Sequence, residues 1–460
     1  MQPLPEEGGA YGGSRLTSER APEPYAFDGR GEMFAPSGVL LDPAAEEAEI
    51  RDAIAGETEW MADLLSELVR ADTTLGNEEA GQRLVEATLR EIGLDPVDVW
   101  MDADALQAHP LASPFDWDVT GKRNVVATWG EVTADGGRSL ILNGHIDVVS
   151  PEPLARWGSR SPFGGEREDG WIHGRGAADM KCGSVAILGA VKGLMSLGLT
   201  PRAPVHIESV VEEECTGNGT LQTLLAGFTA DAALVAEPFG AAITTSQVGV
   251  LWFKVRITGV PGHAAEAAAT VNAIERSLHV IGALRELEIE LNAAPPPPFD
   301  RFTHPINLNV GAISGGDWPS TVPGECTTHY RIALFPEMSL AGLKERIEAA
   351  VAAATADQSG SGRVLYGGFA CEGYTIADDA PLVTALAAAF LRQEGTPPAL
   401  VATTGTSDAG VFGHMGVPAV CFGPYAERAH GIGERVYLPS VVATAQVMGL
   451  FIRDWCGLSE

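Results

Sequence analysis

The stretch Ser139-Leu-Ile-Leu-Asn143-Gly144-His145-Ile-Asp147 is the most informative part of the sequence for the fold. Residues Ser139 to Asn143 predict a short buried strand, because apolar residues dominate and Gly144 ends the run. An imidazole and a carboxylate follow at once, two positions apart. An isolated His-x-Asp is usually no more than a turn, so the rest of the sequence decides whether this pair carries chemistry.

Three further polar groups lie at the ends of predicted elements later in the chain. Gly174–Lys181 places Asp179 at the start of a predicted helix. Glu212-Glu213-Glu214 follows a strand predicted over 205–211, and Glu237 follows a strand predicted over 232–236. Alternating strands and helices predict an α/β sheet with helices on its faces. Ligands of open α/β sheets bind beyond the carboxyl ends of the strands, so all four groups are expected at one rim.

Each group alone has an ordinary structural explanation. Asp179 could be a helix N-cap, and three consecutive glutamates are usually a solvated stretch. Together they are harder to explain without cations, because so many carboxylates at one rim repel one another. A mixture of His and carboxylate ligands suits zinc, cobalt or manganese rather than calcium. From these residues alone, the interpretation as a metal centre and the interpretation as a solvated acidic rim are about equally supported.

Composition narrows the function classes. The 460 residues include 61 acidic and 30 basic side chains, a formal charge of −31. Nucleic acid is not expected as a partner, because phosphate binding needs a basic face. No apolar run reaches 18 residues and the first 13 residues contain no apolar segment, so neither a membrane span nor a secretory signal is expected. Six widely spaced cysteines without a CxxC pair predict reduced thiols in a cytoplasmic protein.

The pattern along the chain predicts four segments. Residues 1–42 are rich in Gly, Pro and charge, which predicts an extended or poorly ordered arm. Residues 43–247 and 359–460 carry the α/β pattern. Residues 248–358 follow the order strand–helix–strand–strand–helix, which predicts a small α+β domain inserted into the larger one.

Six ordered motifs resemble the co-catalytic zinc aminoacylase/carboxypeptidase family of acetylornithine deacetylase-like and succinyl-diaminopimelate desuccinylase-like metallohydrolases. The motifs are His145-Ile-Asp147, Gly174-Arg-Gly-Ala-Ala-Asp179-Met-Lys181, Glu213-Glu214, Ala236-Glu237-Pro238, Gly259-Val-Pro-Gly-His263 and Ala429-His430. The resemblance runs from about residue 65 to the C-terminus. It implies a catalytic domain with a mixed central sheet flanked by helices, and a ferredoxin-like insert that serves as lid and dimerisation domain.

The resemblance also implies a role for each motif residue. Two divalent metal ions, zinc with cobalt or manganese as alternatives, would share Asp179; the other ligands would be His145 and Glu237 for one ion, and Glu214 and His430 for the other. Asp147 would orient the His145 imidazole. Glu213 would be the general base that activates water and passes its proton to the departing amine. The implied reaction is hydrolysis of the amide bond of a small N-acylated substrate.

His263 lies in the insert, between a predicted strand and helix, and could be only a helix-start histidine. In dimeric members of the family the corresponding histidine reaches the partner's active site and steadies the oxyanion, so a homodimer through the insert is expected. Ala264 and Ala265 stand where the family usually has serines. This departure bears on the local hydrogen bonds of the loop and leaves the imidazole in place.

Substrate recognition is less well defined by the sequence. Arg331 is the candidate for binding a substrate carboxylate, although its spacing from Pro323 is shorter by two than in amino-acid deacylases. Asp408 lies in a loop similar to the family's Ser/Thr-Asp-Ala-Arg loop, with Gly410 in place of the arginine, and could be simply a turn aspartate. The pattern of residues 315–326 is closer to the branch of formyl-aminopyrimidine deformylases, which remains an alternative beside a carboxypeptidase or dipeptidase.

Three alternative functions are less consistent with the sequence. A serine hydrolase requires G-x-S-x-G, and residues 405–408 do not supply it. A dinucleotide-binding enzyme requires a third glycine after Gly174-x-Gly176. A non-catalytic metal-binding protein on the same scaffold is expected to lose the base, and Glu213 is present.

Overall fold

The computed structural model describes residues 43–134, 136–356 and 361–459, which form a large and a small lobe. The arm expected over residues 1–42 lies outside the described residues. The α-helices are Pro43–Gly56, Thr58–Arg70, Glu79–Glu91, Ala103–Ala108, Lys181–Ser196, Asn218–Leu225, Ala273–Leu291, Leu340–Thr355, Pro381–Glu394, Ala409–His414 and Leu438–Cys456. Short 3-10 helices are Leu154–Trp157, Ala264–Ala269 and Phe299–Arg301.

A nine-stranded mixed sheet forms the centre of the large lobe. Its strands in spatial order are Val97–Trp100, Arg123–Trp129, Val205–Val210, Leu140–His145, Ala233–Val235, Ala419–Cys421, Ile243–Gln247 and Tyr374–Thr375, with Leu400–Thr403 also paired to Ile243–Gln247. The three strands Val205–Val210, Leu140–His145 and Ala233–Val235 are parallel neighbours. Their carboxyl ends therefore meet at one rim, as the sequence predicts.

The small lobe is a four-stranded antiparallel sheet covered on one face by two helices. The strands in order are Leu308–Gly315, Glu325–Leu334, Gly249–Thr258 and Ser361–Cys371, and the helices are Ala273–Leu291 and Leu340–Thr355. Alternate residues of Glu325–Leu334 are buried against the helices, among them Cys326, Tyr330 and Ile332. The mixed α/β fold with an α+β insert is confirmed.

The structure corrects the predicted end of the insert. Strand Ser361–Cys371 pairs with Gly249–Thr258, so the sheet of the small lobe continues to Cys371, past the boundary predicted at 358. This strand gives Gly249–Thr258 a second neighbour, and a central strand needs partners for its backbone groups on both sides. The sequence does not predict this boundary, because periodicity does not say which sheet a strand joins.

Two helix boundaries are set by local features of the chain. Two successive helices, Pro43–Gly56 and Thr58–Arg70, begin the described part of the chain. The first helix of the small lobe begins at Ala273, because the Asn272 side chain caps it by accepting from the backbone N–H groups of Ile274 and Glu275.

Smaller sheets complete the large lobe and support its loops. They are Ala426–Glu427, Arg435–Tyr437, Trp171–His173 and Glu166–Glu168 in one sheet, and Leu458–Ser459 with Thr200–Pro201 in another; Gly262–His263 pairs with Thr321–Val322 in the small lobe. The six cysteines are free thiols, five of them buried. None of the helices in the described ranges is long and apolar enough to span a bilayer.

Candidate metal centre and active site

His145 ends its strand at the rim and is fully buried. Its Nδ1 lies 2.9 Å from the Asp147 carbonyl oxygen, an arrangement that fixes Nδ1 as the N–H donor and leaves the Nε2 lone pair directed into the rim. The Asp147 carboxylate Oδ1 is 3.7 Å from the same Nδ1. Within Asp147, the backbone carbonyl rather than the carboxylate therefore makes the close contact with the imidazole.

The Asp147 carboxylate instead holds the glutamate turn. It accepts from the backbone N–H of Glu213 at 3.2 Å and of Glu214 at 3.0 Å. Burial raises the pKa of Asp147 to about 7, and the nearby His145 opposes that shift. Asp147 thus joins the strand carrying His145 to the turn carrying both glutamates.

Asp179 lies between the two histidines expected to bind metal. Its Oδ1 is 3.1 Å from the Nε2 of His145, and its Oδ2 is 3.2 Å from the Nε2 of His430. Burial alone would raise the pKa of Asp179, but the contacts with both imidazoles outweigh burial and lower it. His430 is half exposed, has a left-handed backbone with φ 61°, and brings Nε2 to 3.0 Å from Glu214 Oε2.

Glu213 and Glu237 approach His145 from another side. Glu213 Oε2 and Glu237 Oε1 each lie 3.7 Å from the His145 Nε2. Both glutamates are buried, and burial raises the pKa of each carboxyl well above its usual range. Buried carboxylates this close are costly unless positive charge accompanies them.

The donor set fits divalent metal ions. Two groups of side chains bring their ligand atoms within 4.8 Å of one another: His145, Glu213 and Glu237 in one, His145, Asp179 and Glu214 in the other. Imidazole nitrogens with carboxylate oxygens are the ligands expected for zinc, cobalt or manganese.

A buried ion pair that sequence reasoning missed connects the two loops that carry Asp179 and His430. Glu434 Oε1 accepts from the backbone N–H groups of Gly176 at 2.9 Å, Ala178 at 2.9 Å and Asp179 at 3.1 Å. Its other oxygen pairs with Arg175, whose Nη2 donates to the His430 carbonyl at 3.1 Å. The available signal was a pair of charged residues, one in the glycine-rich motif and one four positions after His430.

Three further predicted residues are not brought into this cluster. Asp408 is buried behind it and accepts from the Thr220 hydroxyl at 2.6 Å. Arg331 lies in the small lobe, on a strand position paired with Trp252 and Asn309, on the sheet face away from the helices. His263 is exposed in the small two-stranded sheet. Asp408 does not line the adjoining cavity, and its expected role in supporting the substrate pocket stays a prediction.

Comparison with known proteins identifies the family. The sequence profile described as "Peptidase family M20/M25/M40" matches residues 141–454, more than half of the chain. The chain belongs to the M20/M25/M40 peptidase family. This M20 chain is therefore a metallohydrolase acting on amide or peptide bonds, which confirms the predicted family and reaction class.

Individual relatives show the range of functions near this M20 protein. The N-formyl-4-amino-5-aminomethyl-2-methylpyrimidine deformylase of Halalkalibacterium halodurans is 29% identical over 369 residues, 75% of this chain and 86% of that protein. The succinyl-diaminopimelate desuccinylase of Paracoccus denitrificans is 30% identical over 340 residues, 72% of this chain and 86% of that protein.

Solved structures support the fold. The di-peptidase Dug1p from Saccharomyces cerevisiae superposes with a TM-score of 0.72 at 13% identity, covering 90% of this chain and 99% of the other. A dinuclear metal-binding M20 peptidase from Bacillus subtilis superposes with a TM-score of 0.59 at 13% identity, covering 87% and 99%.

Proposed function

We propose that this protein hydrolyses the amide bond of a small N-acylated substrate, as an N-acyl amino acid deacylase or a related amidohydrolase. Two divalent metal ions, zinc with cobalt or manganese as alternatives, would serve as cofactors. The observation that carries the proposal is the position of Asp179, whose two carboxylate oxygens each face a different histidine Nε2. A carboxylate so placed suits a bridge between two ions.

The proposed ligands divide into two sets that share Asp179. His145 and Glu237 complete the first set, and Glu214 and His430 complete the second. Glu213 lies as close to His145 as Glu237 does, so distance alone does not separate base from ligand. We assign Glu213 as the base because Asp147 holds its backbone and Glu214, the next residue, already contacts His430.

The chain's own residues account for the proton transfers. When bound, the two metal ions polarise the scissile carbonyl and lower the pKa of water. Glu213 takes the proton from the attacking water and returns it to the departing amine nitrogen. The high pKa that burial gives this carboxyl in the absence of cations favours a group able to hold a proton.

His263 is proposed to stabilise the oxyanion of a partner chain. Its Nδ1 accepts from the Ala265 backbone N–H at 3.1 Å, so the imidazole keeps its proton on Nε2 and presents an N–H donor. The serines usual after this histidine are not needed for that bond, because a backbone group makes it.

A homodimer through the small lobe is proposed on the same grounds. The lobe has an outer edge strand, Leu308–Gly315, with Ile313 51% exposed, and a neighbouring helix with Leu278 58% and Ile289 59% exposed. An unpaired strand edge beside exposed apolar side chains is a surface suited to pairing with a second copy. No nucleic acid or membrane partner is proposed, given the charge of −31.

Two residues are proposed to support substrate binding. Arg331 would bind a substrate carboxylate, because it shares the open face of the small-lobe sheet with Trp252, a residue of the cavity beside the metal centre. Asp408 would act from behind the cluster, through Thr220. A cytoplasmic location is proposed from the six free cysteines.

A second candidate is deformylation of an N-formyl aminopyrimidine. The residues Gly315-Gly-Asp-Trp318 and Val322-Pro-Gly-Glu-Cys326 favour it, together with the deformylase relative. A carboxypeptidase or dipeptidase would use the same centre.

The decisive experiment is a substrate panel with and without chelator. N-acyl amino acids, dipeptides and N-formyl aminopyrimidines are incubated with protein whose metal content has been measured. We expect about two ions per chain, chelator-sensitive hydrolysis of one class, and recovery on adding zinc or cobalt. Full activity of metal-free protein would exclude the proposal, and hydrolysis of none of the three substrate classes would contradict the proposed substrate range.

A further inference from the structure

A cavity of ≈ 890 Å³ opens beside the metal centre. Its walls include Asp147 and Glu214, so it reaches the proposed metal centre. Asp72 and Glu152 also line it, but the remaining walls are mainly apolar or aromatic, with Leu75, Trp117, Val149, Leu154, Phe163 and Trp252. Such walls suit a flat apolar group rather than a charged one.

Trp117 has a second contact besides the cavity. Its indole N–H donates to Glu212 Oε1 at 2.8 Å, and its ring packs near Phe115 with centroids 6.1 Å apart. The Trp117 ring therefore forms part of the cavity wall, while its indole N–H is hydrogen-bonded to the Glu212 carboxylate.

Glu212 is the residue immediately before Glu213 and is completely buried. Its backbone is left-handed, with φ 64°, a conformation that non-glycine residues keep only when their surroundings hold it. Lys122 Nζ lies 2.8 Å from Glu212 Oε1 and 2.9 Å from Glu78 Oε1, and Thr216 donates to Glu212 Oε2 at 3.2 Å. Trp117 is thus one of three side-chain donors that fix the start of the glutamate turn.

We propose that Trp117 is the specificity-determining residue of this site: it forms the wall that receives an aromatic group of the substrate, and it positions Glu213 through Glu212. The inference rests on the proposed amidohydrolase function for its kinetic part. The substrate class that follows is an amide bearing an aromatic group on its acyl or amine side. Binding in the cavity and alignment of the base then depend on the same side chain.

Binding is tested without catalysis, with acetate and phenylacetate titrated calorimetrically into zinc-loaded protein. Wild type should bind phenylacetate roughly 10-fold or more tightly than acetate, the usual effect of burying a phenyl group. Trp117→Phe should keep most of that preference, because it keeps an aromatic ring, and Trp117→Ala should lose it. An unchanged preference for phenylacetate in Trp117→Ala would overturn the proposal that Trp117 receives the aromatic group.

Positioning is tested by kinetics on the best panel substrate. Trp117→Phe removes the N–H and shortens the ring system but keeps an aromatic ring in the wall, so kcat should fall about 10-fold while KM for an aromatic substrate stays near wild type. The matched control is Trp60→Phe, because Trp60 donates its indole N–H to Glu91 at 3.1 Å, on two helices outside the metal cluster. Its kcat should not change. A wild-type kcat in Trp117→Phe would overturn the proposal that Trp117 positions Glu213 through Glu212.

A second variant guards against misfolding of the first. Lys122→Met removes another donor from Glu212 without touching the cavity wall, so it should lower kcat and leave the phenylacetate preference intact. Loss of that preference in Lys122→Met would contradict the proposal that the cavity wall binds the aromatic group independently of the contacts to Glu212. If wild type hydrolyses no panel substrate, the proposed function fails. The phenylacetate comparison would still test whether Trp117 binds an aromatic group.

Discussion

The metal-site cluster of the large lobe and the His263 loop of the small lobe hold their functional side chains in opposite ways. In the cluster, His145, Glu213 and Glu237 are buried, and Asp147 and Glu434 anchor the backbones around them. In the loop, His263 is exposed and its ring accepts a hydrogen bond from the backbone of Ala265. The proposed metal ligands all belong to one chain, whereas the proposed role of His263 requires a second chain beside it.

The largest expected effect tests the buried half of this comparison. Glu213→Gln keeps the shape of the side chain but cannot accept a proton, so turnover should fall at least ~100-fold while metal content stays unchanged. Steady-state kinetics and elemental analysis of the same preparation measure both. The exposed Glu345→Gln is the control and should match wild type. Near-normal turnover in Glu213→Gln would remove Glu213 from the mechanism.

The proposed action of His263 in the partner's site is tested by mixing two inactive variants. His263→Ala should lose roughly 100-fold in kcat, the usual effect of deleting an oxyanion donor. If His263 acts in the partner's site, mixing this variant with Glu213→Gln creates hybrid dimers with one intact site. After random exchange about a quarter of wild-type activity should return, because half of the dimers are hybrids with one working site of two.

Subunit exchange must be shown independently, for example by native mass spectrometry of the two variants carrying different tags. If exchange is complete and no activity returns, His263 acts in its own chain or has no part in catalysis.

The anchoring of the cluster gives the next effect. Glu434→Gln breaks the pair with Arg175 and weakens the hold on the Asp179 and His430 loops, so apparent zinc affinity should fall roughly 10- to 100-fold, as for other residues that support metal ligands. Chelator competition measures it. The control is Glu427→Gln, which breaks a surface pair with Arg435 at 2.7 Å in the same part of the chain. Equal metal release by both variants and wild type would contradict the anchoring.

The smallest effect concerns a buried acid behind the cluster. Burial raises the pKa of Glu208 to about 8 from 4.5, against hydrogen bonds from Asn143 and Thr223. Between these two values the folded state holds a proton that the unfolded state has lost, so stability falls as pH rises through this window and the loss is complete above about pH 8. Glu208→Gln should remove that loss.

Urea unfolding at pH 5, 6 and 7 measures it. Relative to wild type, Glu208→Gln should gain roughly 1–3 kcal/mol between the lowest and highest pH, since one unit of pKa difference corresponds to ~1.4 kcal/mol. Parallel curves for wild type and variant would show that Glu208 does not titrate as described. Glu345→Gln again serves as the control.

The sequence predicted what depends on local pattern and failed where contacts are distant. The strand before His145 and the polar residues that follow it are readable because periodicity and Gly144 mark the end of the strand. The parallel neighbours of that strand then place the four groups at one rim. The pairing of Ser361–Cys371 with the small sheet was not readable, because a strand's sequence does not name its partner.

The supporting residues were missed for a related reason. Glu434 and Arg175 are 259 positions apart, and Trp117 reaches Glu212 across 95 positions. Each looks like an ordinary charged or aromatic residue until the fold brings it to its partner. The atom of Asp147 that contacts the imidazole was not readable either, because spacing does not reveal whether backbone or side chain faces the ring.

The distance along the chain between Arg175 and Glu434 also sets an order of events during synthesis. A ribosome that has released His145, Asp179, Glu214 and Glu237 has not yet made His430 or the carboxylate that clamps the Asp179 loop. Contacts of such long sequence separation form late. An ion captured by the nascent chain would therefore meet an incomplete set of the proposed ligands, and the proposed centre would close only after Glu434 has emerged.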